Sequence, residues 1–264
     1  MEDAIVSEGM VNAVVFDLYG TLVDIATDEQ SPDFWEQFSR DLRRQGIDAE
    51  ATSLRLLYTR LCEEAVERVG GEGFILEGVF ERLLGALVRK PTEYGVTQLA
   101  ERFRSLSIKS LTIRPYSKPL LATLIQSRCK TALASNTEAI FTRFDLRQCG
   151  LDSYFDAIVL SSDVGMRKPD PRLFHLVLSR LEVSEDRAVF IGDTFEDDIL
   201  GAQQAGLRSL FVNPRGATFG SRQLLASPRV IGVLPSLASI EQGLQDLGWR
   251  QPNHSEVVAV SNRE

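Results

Sequence analysis

The sequence predicts an α/β protein: a doubly wound parallel sheet interrupted, just after its first strand, by four helices. Three patterns carry this expectation. Ala13-Val14-Val15-Phe16 is an unbroken apolar run that ends in Asp17. Residues 31–106 show only helical periodicity. From about residue 112 onward, short apolar runs alternate with amphipathic ones. Strands alternating with helices of this length build parallel sheets, and right-handed crossovers bring the strand ends to one edge. The expected domains are residues 1–28 with 112–250 for the sheet, 29–111 for the helical insertion, and 251–264 for a polar tail.

The elements follow in order. The first run is apolar at every position and has paired valines, which suits a strand buried on both faces. After Asp24 the pattern turns helical. Ser31-Pro32-Asp33 is a helix-start signal, and Phe34, Trp35, Phe38 and Leu42 recur at helical spacing up to Gly46. A second helix is expected over 51–69, broken by Gly70-Gly71, a third over 74–88, stopped before Pro91, and a fourth over 97–106. Phe34, Trp35, Phe38, Phe74 and Phe80 are the expected core of this bundle. In the sheet region, helices are expected over 119–127, 138–149, 171–181, 197–205 and 236–247. Strands are expected over 130–136, 157–162, 188–193 and 209–212.

Composition narrows the partners. The chain has 264 residues, 44% of them hydrophobic and 25% charged, with a net charge of −8 and no dense basic stripe. Nucleic acid and anionic membranes are therefore not expected partners, although a local cation can reverse the field in one cleft and admit a small anion. Cys62, Cys129 and Cys149 form no close pair, which points to a reducing cytoplasm. The first ten residues have no long apolar core, no run reaches the length of a membrane span, and there is no internal repeat.

Four sets of polar residues fall at the expected strand ends: Asp17 with Gly20 and Thr21; Ser135 with Asn136; Lys168 in Gly165-Met166-Arg167-Lys168-Pro169-Asp170-Pro171; and Asp193 with Asp197 and Asp198. Singly each has a structural explanation, such as capping the next helix. Together they favour a ligand crevice, because the carboxyl edge of an open α/β sheet is where ligands bind. A carboxylate buried there needs compensation by a cation or by hydrogen bonds.

As a set and in this order, these motifs resemble the haloacid dehalogenase-like hydrolase superfamily, of the type with a helical cap inserted after the first motif. The resemblance implies a Rossmann-like core, with Asp17 as a nucleophile that forms a covalent aspartyl intermediate. It implies that Gly20, Thr21, Ser135 and Asn136 bind the transferring group, and that Lys168 neutralises charge gathering on it. Asp17, the backbone carbonyl of Tyr19 and Asp193 would hold Mg²⁺, with Asp198 acting through water or positioning Lys168, and Asp197 outside the ligand set. Unpaired carboxylates ~4 Å apart repel by ~4 kcal/mol at an effective dielectric of ~20, which a divalent cation removes. The cap is expected to close over the crevice.

The sequence departs from the family's phosphatases at Tyr19, where they carry a second Asp that protonates the leaving group. That acid is typically worth ~10²–10⁴-fold, and a phenol of pKa ~10 does not replace it well. Tyr19 is expected to pack or to touch substrate. Leu18-Tyr19-Gly20-Thr21-Leu22 resembles instead the first motif of the 2-haloacid dehalogenases. Those enzymes, however, lack metal and carry Ser and Asn where this chain has Gly192-Asp193. They also have a Tyr where this chain has Phe174, and they use a cap arginine, for which Arg40, Arg43 and Arg44 are the candidates. The expectation is a Mg²⁺-dependent phosphatase for a small phosphorylated metabolite, acting as monomer or homodimer. A metal-independent 2-haloacid dehalogenase and a non-catalytic binding module are the alternatives. His175 and His254 are expected outside the site.

Overall fold

A computed structural model describes residues 11–68, 76–88, 95–212, 230–234, 237–246 and 249. The chain forms two compact units: Met1–Asp24, Thr112–Asn136 and Gly150–Glu264 in one, Ile25–Leu111 and Thr137–Cys149 in the other.

The first unit holds a six-stranded sheet made of β1 (Ala13–Phe16), β4 (Lys130–Ser135), β5 (Ala157–Leu160), β6 (Ala188–Gly192), β7 (Arg208–Val212) and β8 (Val230–Leu234). Their order is β5-β4-β1-β6-β7-β8, and the neighbouring strands are parallel. β1 is central, and all four of its residues are buried. The sequence pattern of β8 had given no strand. The order reverses on either side of β1, the arrangement that opens a crevice at the strand ends. On one face Ala13 and Val15 of β1, Ala132 and Ala134 of β4, and Phe190 of β6 pack with Leu173, Phe174, Val177, Leu178 and Leu181. These last five lie on α8 (Pro171–Leu181), which starts at the N-cap Asp170 with Pro171 in its first turn. The alanines let the helix approach closely, and each large side chain buried there contributes roughly 1.5–3 kcal/mol. α5 (Ser117–Gln126) and the short α7 (Ser161–Val164) also belong to this unit. The expected helix over 197–205 is instead a π-type turn, Phe195–Leu200, that runs into α9 (Gly201–Gln204). The expected closing helix is a 3₁₀ turn, Leu237–Ser239, followed by α10 (Ile240–Asp246).

The second unit contains α1 (Pro32–Arg44), α2 (Ala51–Arg68), α3 (Leu76–Leu87) and α4 (Val96–Ser107), close to the expected spans. Ser31 caps α1 through the Asp33 N–H. One helix is redistributed. α6 (Ala139–Cys149), which strand–helix alternation had placed with the sheet, belongs here. Its Phe141 joins the core formed by Phe34, Trp35, Phe38, Phe80 and Phe103. Phe103 is the centre of that cluster, with ring centroids 4.8 Å from Phe34, 5.3 Å from Phe38 and 5.3 Å from Phe80. Each such pair adds ~0.5–1.5 kcal/mol beyond burial. Periodicity identifies an amphipathic helix but not the partner of its apolar face.

The chain passes between the units along β2 (Val23–Thr27) and β3 (Ile108–Ile113), which pair as a two-stranded sheet. The sequence pattern had missed both strands. They are largely exposed or half-buried, so no apolar run marks them. The boundary expected after residue 28 falls after Asp24 instead. Phe74, the Gly70-Gly71 break, Pro91, His254 and the tail 251–264 lie outside the described residues.

Candidate active site

Sheet register assembles the site. Phe16 stands level with Leu133 and Ile191 on the flanking strands. Asp17 is one residue past that row, and Ser135 and Asp193 are two past it. The Asp17 N–H still donates to the Ile191 carbonyl at 2.9 Å, which fixes the backbone at the point where the strand ends.

Asp17 is 6% exposed. Its Oδ1 accepts from Ser135 Oγ at 3.0 Å and from Lys168 Nζ at 2.7 Å. Lys168 Nζ also donates to Asp198 Oδ1 at 2.6 Å. Lys168 is itself only 2% exposed. Burial alone would lower the pKa of its ammonium. The charges and hydrogen bonds of Asp17 and Asp198 outweigh that, so the pKa is raised and the lysine is held charged. Asp198 is pushed up to about 7, first by burial and then by Asp17, against the pull of Lys168. The other Asp198 oxygen accepts from the Thr194 N–H at 2.9 Å. Both Asp198 oxygens are thus engaged in positioning Lys168 and closing the turn after β6.

Asp193 is the third carboxylate. Its Oδ1 accepts from Thr21 Oγ1 at 3.3 Å. Its pKa is raised by burial and by the charge of Asp17, with Arg114 opposing the shift. Gly20 is required beside it. Its φ is +91°, and a Cβ there would lie 2.2 Å from Asp193 Oδ2, so a side chain meets both strain and a clash. One carboxylate oxygen from each of Asp17, Asp193 and Asp198 can be chosen so that all lie within 4.8 Å of one another. Three acids against one ammonium leave the cluster net negative, and oxygen ligands around an excess of negative charge are what Mg²⁺ requires. The donor set fits that ion.

The remaining expected residues fall as follows. Asn136 does not present a free amide to the cluster. Its Oδ1 accepts from the Lys168 N–H at 2.7 Å, and its Nδ2 donates to the Lys168 carbonyl at 2.9 Å and to Asp197 Oδ2 at 3.2 Å. It therefore clamps the backbone that carries the lysine. Asp197 holds Asn136, a role the sequence did not reveal. The Thr21 hydroxyl proton is likewise directed at Asp193. Tyr19 is partly exposed. Phe174 is buried edge-on against Phe190. His175 Nε2 lies 3.1 Å from the Ala205 carbonyl, which makes that nitrogen the protonated one. Arg40, Arg43 and Arg44 are exposed on α1 in the helical unit. None of the three cysteines is in a disulfide. Among the described residues no helix is long and apolar enough to cross a membrane.

An acid at the end of a central parallel strand is thus held by a buried lysine and grouped with two further carboxylates. A family model of haloacid dehalogenase-like hydrolases matches residues 11–206, and the chain belongs to that family. It is 27% identical over 207 residues to the ribulose-1,5-bisphosphate 5-phosphatase of Halopiger xanaduensis, covering 78% of this chain and 86% of that one. It is 28% identical over 225 residues to the phosphoglycolate phosphatase of Pectobacterium atrosepticum, covering 84% and 88%. Among solved structures, a 2-haloacid dehalogenase from Pseudomonas syringae pv. Tomato DC3000 superposes with a TM-score of 0.61 at 25% identity, covering 90% of this chain and 99% of that one.

Proposed function

We propose that the protein is a Mg²⁺-dependent phosphatase that acts on a small phosphorylated metabolite through an aspartyl-phosphate at Asp17. The observation that carries this reading is Asp193, set beside Asp17 and Asp198 in one carboxylate cluster. The similarity to the two phosphatases supports it.

The residues divide the work. Lys168 and Ser135 both bond Asp17 Oδ1, so Oδ2 is the oxygen presented as nucleophile. Oδ2 forms a bond to phosphorus while the bond from phosphorus to the leaving oxygen breaks, and that oxygen departs with the electron pair. Water then attacks phosphorus, releases inorganic phosphate and frees the carboxylate. The Lys168 ammonium stabilises negative charge during both displacements. Asp17, Asp193 and the Tyr19 carbonyl would hold Mg²⁺. Bound there, the ion would neutralise phosphoryl oxygens and relieve carboxylate repulsion.

Tyr19 shapes the substrate class. No carboxylic acid stands at that position to protonate the leaving oxygen, so the favoured substrates are acyl, aryl or anhydride phosphates, whose leaving groups depart unprotonated. A cytoplasmic setting accords with three cysteines that form no disulfide.

Tyr19 also favours a second reading, a 2-haloacid dehalogenase with an ester intermediate at Asp17, and the Pseudomonas syringae neighbour is in keeping with it. One panel separates the two. Acyl and aryl phosphates and 2-chloropropionate are each assayed with Mg²⁺ and with chelator. The phosphatase reading expects phosphate release that chelator abolishes and that Asp17→Asn removes. Halide release without metal would overturn it.

A further inference from the structure

Four hydrogen bonds brace the loop after Asp17 from a distant part of the chain, and none of the chemistry above uses them. Arg114 Nε and Nη2 fork onto Asp24 Oδ2 and Oδ1 at 3.0 and 2.7 Å. The Arg114 N–H donates to the Leu22 carbonyl at 2.9 Å. Ser117 Oγ donates to the same carbonyl at 2.8 Å. The guanidinium is nearly buried, at 11% side-chain exposure, whereas Asp24 is 53% exposed. The braced segment contains Gly20, whose missing Cβ makes room for the Asp193 carboxylate, and Thr21, whose hydroxyl meets Asp193 Oδ1.

From this we infer that the Arg114–Asp24 pair is a positioning device for the cation site. It holds residues 20–24 so that Thr21 and Gly20 fix the Asp193 carboxylate opposite Asp17. The pairing also suits the electrostatics. A lone guanidinium near the acids would repel a divalent cation. The fork with Asp24 offsets part of that charge while keeping its grip, because a bidentate arginine–carboxylate pair adds geometric definition as well as energy. Lysine, a point charge without the fork, does not reproduce this. The inference rests on the Mg²⁺ reading of the site.

The test is calorimetric titration of the full-length, substrate-free protein with MgCl₂, which reads the site without turnover. Wild type is compared with Arg114→Met, Arg114→Lys, Asp24→Asn and the double variant Arg114→Met/Asp24→Asn, each first confirmed folded by circular dichroism. The expected result is a Mg²⁺ dissociation constant raised about five- to tenfold in Arg114→Met, with less than full rescue by lysine. The double variant should be no worse than Arg114→Met alone, because the two residues act as one unit. Asp24→Asn, altered at an exposed residue, keeps the test informative if Arg114→Met does not fold. If the variants melt earlier but bind Mg²⁺ as wild type does, the pair is merely structural and the inference is overturned. If wild type itself fails to bind Mg²⁺, the metal reading falls, and this inference falls with it.

Discussion

Each unit of the molecule buries an ion pair, and the two pairs are built differently. In the helical unit Arg104 of α4 meets Asp145 of α6, with Nε and Nη2 on the carboxylate at 3.1 and 2.6 Å. Arg104 is 8% exposed and Asp145 1%. One cation matches one anion, and the Phe141 ring lies 5.0 Å from the guanidinium carbon. At the strand ends one buried ammonium faces Asp17 and Asp198 directly, with Asp193 close by. The first pair sets one charge against one. The second is left with excess negative charge. An excess that folding alone would eliminate is in keeping with the cation and anionic substrate proposed above.

The comparison can be broken from either side. The largest stability effect is expected in the first pair. Asp145→Ala removes the carboxylate that a buried guanidinium bonds and should lower stability by about 3–5 kcal/mol in urea unfolding. Replacing both partners, as in Arg104→Met/Asp145→Leu, should recover most of that loss. If Asp145→Ala unfolds at the wild-type midpoint, the pair does not carry that stability.

At the strand ends the sign reverses. Asp193→Asn removes one of the crowded charges while keeping an acceptor for Thr21. The metal-free variant should be more stable than wild type by roughly 0.5–2 kcal/mol and should lose activity, a stability–function trade-off. A destabilised Asp193→Asn would mean that the acids are compensated within the fold.

The smallest effect separates the units by pH. Asp198 has its folded-state pKa raised from 3.8 to about 7. The native state therefore holds the extra proton, and its burden on stability is full above about pH 7 and eases as pH falls toward 3.8. Glu50, beside the first turn of α2, is the opposite case. The Thr52 and Ser53 N–H groups bond its carboxylate and hold its pKa near 2, below the ordinary 4.5. Its contribution is present above pH 4.5 and is lost as pH falls through about 2. Metal-free Asp198→Asn should therefore lack the wild-type gain in melting temperature between pH 8 and about pH 5. Glu50→Gln should be less stable than wild type at neutral pH and should converge with it only as pH falls through about 2. Parallel wild-type and Asp198→Asn profiles across that upper window would contradict the assignment.

Much of this was legible in the residues. β1 announced itself because a central strand is apolar on both faces. Asp17, Ser135 and Asp193 followed, because strand ends in a parallel sheet share an edge whatever the side chains do, while Lys168 comes in on the loop after α7. What stayed hidden depends on side-chain direction and on partners far away in sequence. Asn136 was expected to face the transferring group but turns back onto the Lys168 backbone. Asp197 is drawn to Asn136. α6 reads as a sheet helix until Phe141 is seen among the aromatics of α1, α3 and α4. β2 and β3 are too exposed to leave a pattern, so the brace between Asp24 and Arg114 could not be anticipated.

The central claim is chemical, that Asp17 carries the phosphoryl group during turnover. Its most direct test is mass analysis of the Asp17 peptide after acid quench of a reaction with Mg²⁺ and an acyl or aryl phosphate. A gain of one phosphoryl group on that peptide, absent from Asp17→Asn, is the expected result. Phosphate release with the peptide unmodified throughout, or with the group on another residue, would contradict the account.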